Sequence, residues 1–124
     1  MRVELNLPIE RKWFDMIARG EKKEEYRTMK QLRRYLDTHN PGEGKAGKGE
    51  GILLILRNGY TLKSMAVVVD VTLVELRSSE EAIHPEWGGP TKGMPLHMVL
   101  HLGKLLMVAP YGEVRKQYGN GGAK

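Results

Sequence analysis

Apolar and polar residues alternate near the start of the chain. Val3, Leu5 and Leu7 are separated by Glu4 and Asn6, the period of a strand with one buried face, and Pro8 ends it. From Ile9 the period lengthens. Trp13, Met16 and Ile17 share one helical face, Arg11, Lys12 and Asp15 fall elsewhere, and Gly20 stands where a C-terminal cap belongs. A second amphipathic helix is predicted over residues 29–37, with Leu32, Tyr35 and Leu36 apolar and Lys30, Arg33 and Arg34 outside. Residues 40–51, rich in glycine and lysine, read as a flexible loop. Residues 52–56 form an apolar run that reads as a buried strand. Asn58-Gly59 then signals a hairpin, because both residues tolerate positive φ, and a long strand is predicted over residues 66–76. Residues 78–94 look irregular. Over residues 96–108, His97, Val99 and His101 alternate against Met98, Leu100 and Leu102.

These elements predict one domain over residues 1–108 and a mobile tail over residues 109–124. The fold class is α+β: a small mixed β-barrel of about five strands flanked by two helices. A doubly wound sheet would need helices in the second half, where none is predicted.

Composition narrows the chemistry. The chain of 124 residues has no cysteine, which excludes disulfides and thiolate metal clusters. No apolar run approaches the roughly 18 residues of a membrane span, and the alternating start differs from a signal peptide, so a soluble, cytoplasmic protein without membrane partners is expected. The net charge of +5 favours anionic partners such as nucleotides or RNA.

Candidate chemistry concentrates in GEKKEEYR at residues 20–27, where six of eight residues are charged directly after a helix-like run. In a strand, positions three apart face opposite ways, so Lys22 and Glu25 converge only if Lys22 lies in the turn, which is the expectation. Gly42, Gly47 and Lys48 have the spacing of a phosphate loop, but Gly49 replaces the required Ser/Thr and an apolar strand-like run replaces the helix. His97 and His101 are spaced for a helical metal pair, yet the segment reads as a strand. No metal or cofactor is expected.

Gly20, Lys22, Glu25 and Arg27, preceded by Trp13 to Ile17, resemble the signature of ASCH domains in the PUA-like barrel superfamily. Asn58-Gly-Tyr60, Pro85-Glu-Trp-Gly88 and Leu102-Gly-Lys104 look like further landmarks of the small single-domain forms. The resemblance implies a barrel with a cleft near the charged turn. It also implies, for the amidohydrolase members that deacylate N4-acetylcytidine, a lysine, a threonine and a glutamate. Lys22 matches the lysine, Glu25 holds the threonine's place, and Glu86 is the loose match for the glutamate. The catalytic candidates are therefore Lys22 as oxyanion stabiliser, Glu25 as general base on water and Glu86 as acid. Arg27, Tyr26, Tyr60 and Trp87 are candidates for substrate binding. Trp13 reads as a core residue. The expected ligand is a nucleoside or modified base. The alternative is a non-catalytic RNA-binding module, with Arg33, Arg34, Lys45 and Lys48 as a phosphate-binding rim.

Overall fold

The computed structural model describes residues 3–28, 30, 47–78, 85–87 and 96–119. The first alternating stretch forms strand β1 (Val3–Pro8), and the helical period forms α1 (Arg11–Ala18), which buries Phe14 and Ile17. Strand β2 (Glu24–Arg27) follows the charged turn. The central strands are β3 (Gly47–Arg57) and β4 (Met65–Ser78); β5 (Leu96–Pro110) and helix α2 (Tyr111–Tyr118) complete the order.

The sheet has five strands in the order β1-β3-β4-β5-β2. β1 lies parallel to β3, with Leu5 opposite Leu54, and the other pairs are antiparallel. In β3, Ile52 to Leu56 are buried on both faces, which is why that stretch reads as unbroken apolar sequence. Period-2 alternation divides the central strands between two cores. Leu54, Leu56, Val67 and Val69 pack with Phe14 and Ile17 of α1, while Leu53, Ile55, Ala66 and Val68 pack with Val114 of α2. Each fully buried aliphatic side chain contributes about 1.5–3 kcal/mol.

The α+β class and the five-stranded mixed sheet agree with the sequence reading. The sheet, however, is open: no ladder joins β1 to β2 among the described residues. Register shifts between Val68 and Leu73 interrupt the β4–β5 pairing, and such bulges bend a strand pair. The two edges are bridged by a side chain instead, where Arg27 Nη2 donates to the Pro8 carbonyl at 2.8 Å.

Several boundaries differ from expectation. Residues 47–51, expected in the flexible loop, begin β3, with Gly47 opposite Val74. The hairpin connection spans residues 58–64 and is closed by Asn58 N–H on the Met65 carbonyl, so it is longer than a two-residue turn. The expected mobile tail is ordered through α2. Its first-turn N–H groups at Tyr111 and Gly112 donate to the carbonyls of Ser64 and Leu62, and Val114 is buried. The helix predicted over residues 29–37, the basic residues Arg33, Arg34 and Lys45, and most of residues 78–94 lie outside the described residues. Among the described residues no helix is long and apolar enough to cross a membrane.

Candidate functional site

The end of α1 sets the site. Arg19 caps the helix, Gly20 takes φ of +77°, and the N–H groups of Gly20 and Glu21 return to the carbonyls of Ile17 and Met16 at 3.0 and 2.8 Å. This is a Schellman closure, in which a left-handed residue reverses the chain. Lys22 N–H also reaches the Met16 carbonyl, at 3.2 Å. Lys22 is thus fixed in the turn, two residues before β2 begins, as convergence with Glu25 requires.

No neighbouring atom would obstruct a Cβ at Gly20, so replacing it tests backbone conformation alone. Gly20→Ala is expected to destabilise the fold by about 1–2 kcal/mol and lower the melting temperature by several degrees, while Gly20→Asn loses less. Equal melting temperatures for wild type and alanine variant would show that the turn tolerates another path.

Lys22 Nζ lies 3.3 Å from Glu25 Oε1, and Arg27 Nε lies 2.6 Å from Glu25 Oε2. All three side chains are buried, at 2 %, 7 % and 8 % exposure for Lys22, Glu25 and Arg27. Lys22 also donates to the main-chain carbonyl of Trp87, on the short 3-10 turn Pro85–Trp87. Its ammonium sits 5.4 Å from the Trp13 ring centre and 5.1 Å from that of Tyr26, within cation–π range of both. Burial pushes the Lys22 ammonium below its ordinary pKa; the Glu25 carboxylate opposes this without cancelling it.

On the alternate face of β2, Glu24 is also buried. It accepts from Tyr26 Oη at 2.7 Å and from Arg77 Nη1 at 3.2 Å. Arg77 Nη2 donates to Glu75 at 2.6 Å, and His101 Nε2 lies 2.8 Å from the same carboxylate oxygen. Burial raises the Glu24 and Glu75 carboxyls, but their hydrogen bonds, from Tyr26 and Arg77 and from Arg77 and His101, leave both below the ordinary value. Tyr26 joins the two networks, with its ring against Lys22 and its hydroxyl on Glu24.

Lys22, Glu25, Arg27 and Tyr26 therefore come together, with the Trp87 carbonyl as a further member. Glu86 is exposed on the turn, and the neighbouring Trp87 supplies the backbone oxygen that reaches Lys22. Tyr60 is 79 % exposed on the β3–β4 connection and packs with Arg57 rather than with the lysine. Sequence reasoning reads Trp13 only as core, as its packing there agrees, counts Glu24 only among the carboxylates of the charged turn, and gives no site role to Glu75, Arg77 and His101. The last three meet β2 only through the β4–β5–β2 register, in which Glu24 faces His101. No cluster of metal-ligating side chains occurs among the described residues. No family model, curated protein or solved structure matches the chain.

Proposed function

We propose that the chain is a small amidohydrolase of the ASCH kind, acting on an N4-acylated cytidine or related nucleoside amide at Lys22. The observation that supports this is a lysine shut from solvent against a carboxylate, flanked by two aromatic rings and biased by burial toward its neutral form. Such a lysine is suited to proton transfer. Both Glu25 oxygens are engaged by cations, so its role is to position Lys22.

In the proposed reaction neutral Lys22 takes a proton from water as the water oxygen attacks the acyl carbon. The resulting ammonium faces the tetrahedral oxyanion and then gives its proton to the departing exocyclic nitrogen as the C–N bond breaks. The products are the free carboxylic acid and the amine of cytidine. Lys22 thus carries the proton that sequence reasoning assigned to Glu86. Along with this reading goes a PUA-like barrel, with the Arg27 bridge to Pro8 marking where β1 and β2 approach.

A non-catalytic RNA-binding module would need excess positive charge. Within the two networks, Lys22, Arg27 and Arg77 are balanced by Glu24, Glu25 and Glu75. The test is incubation with N4-acetylcytidine followed by chromatography. Cytidine and acetate are expected in equal amounts. Absence of cytidine formation by the wild-type protein would defeat the reading.

A further inference from the structure

We infer that the groove between the β1–α1 turn and the β3–β4 connection is a phosphate subsite. The ligand it serves is then a nucleotide rather than a free nucleoside. This rests on the proposed nucleoside-amide reading, yet its central observation is independent of Lys22.

The groove, of about 350 Å³, is lined by Pro8, Glu10, Arg57, Asn58 and Tyr60 among others. Arg57 is half-buried, and no carboxylate pairs with it among the described residues. Its guanidinium lies between two rings, 4.7 Å from the Tyr111 centre and 5.9 Å from that of Tyr60. Its Nε is closed off from solvent with no hydrogen-bond acceptor. A guanidinium that lines a groove and has no carboxylate partner among the described residues is suited to an incoming anion. Guanidinium geometry suits two oxygens of one phosphate.

The groove also ends at the start of α1. There the Glu10 side chain makes no capping bond, and the first turn contains Arg11 and Lys12 but no acid. A helix start without a side-chain cap adds to the attraction for an anion. The walls are already built: Ile9 N–H donates to the Arg57 carbonyl at 2.9 Å and Asn58 Nδ2 to the Ile9 carbonyl at 3.0 Å. Gly59 has φ of +133°, and a side chain there would collide with the Ser64 hydroxyl. The groove adjoins the lysine site through Pro8, whose carbonyl holds Arg27. Glu10 opposes an anion, and this supplies a sign test.

Calorimetric titration with cytidine 5′-monophosphate and with cytidine reads the subsite without catalysis. The monophosphate is expected to bind wild type at least about tenfold more tightly. Arg57→Gln should bring the two affinities within about twofold, and Glu10→Gln should widen their ratio. Equal affinities in wild type, or an unchanged ratio in folded Arg57→Gln, would overturn the subsite. Should that variant fail to fold, inorganic phosphate titrated into wild type must shift the Arg57 Nε–H resonance, identified by its loss in Arg57→Lys; no shift overturns the inference. A preserved monophosphate preference without N4-acetylcytidine turnover would defeat the amidohydrolase reading alone.

Discussion

Lys22→Met is expected to lower kcat/KM toward N4-acetylcytidine by about 10²–10⁴-fold while leaving the protein folded. Methionine preserves the apolar stem of the side chain but has no nitrogen to accept water's proton. Glu25 still keeps Arg27 as its counter-charge at 2.6 Å, so no carboxylate is stranded. Because burial lowers the lysine's pKa, the wild-type rate should climb with pH and level off below the range of an ordinary lysine. Stability should change as well. Between the lowered folded pKa and the ordinary value of 10.5 the unfolded chain binds the extra proton, so wild-type stability rises with pH across that interval. Lys22→Met should lack this rise in urea denaturation at a series of alkaline pH values. A variant with wild-type turnover would remove Lys22 from the chemistry.

Removing the partner carboxylate should do more harm to the fold. Glu25→Ala leaves Lys22 and Arg27 buried with no shared anion, and stranding charge in this way costs about 3–5 kcal/mol. With a urea dependence of about 1–3 kcal/mol per molar, the denaturation midpoint should fall by about 2 M. Glu25→Gln, which retains an acceptor, should lose less. Adding Lys22→Met to Glu25→Ala should recover part of the loss, since one uncompensated cation is removed and the two sites touch. A loss under about 1 kcal/mol for Glu25→Ala would mean that the pair behaves as a solvated surface contact. Glu24 and Glu75 add an acid limb of the opposite kind. Their lowered pKa values stabilise the fold above the ordinary 4.5, and that contribution disappears as pH falls through the lower folded values.

Local periodicity made β1, α1, β4 and the Gly20 turn legible, because each depends on neighbours a few residues away. The same locality explains the meeting of Lys22 with Glu25, which follows from one glycine with positive φ. What escaped depends on distant partners. The parallel pairing of β1 with β3 leaves no mark in either strand, and the polar chain from Glu24 to Arg77, Glu75 and His101 exists only once β2, β5 and β4 are in register. Trp13 looked like an ordinary core residue because helical spacing says nothing of the cation above its ring. Helix α2 reads as a tail in the sequence because its eight residues contain one aliphatic side chain; Tyr111, Val114 and Tyr118 complete the face that packs on the sheet. The motif groups Tyr60 with the site, but the length of its hairpin connection takes it to Arg57.

The parallel register also bears on how the molecule is made. Leu5 leaves the ribosome well before Leu54, the residue it must lie beside. During that interval the nascent chain displays an alternating apolar ribbon whose hydrogen-bonding edge is unmatched, the kind of segment that chaperones shelter and that promotes aggregation. A transcript truncated ahead of β3 would therefore yield a sticky fragment rather than a smaller folded protein.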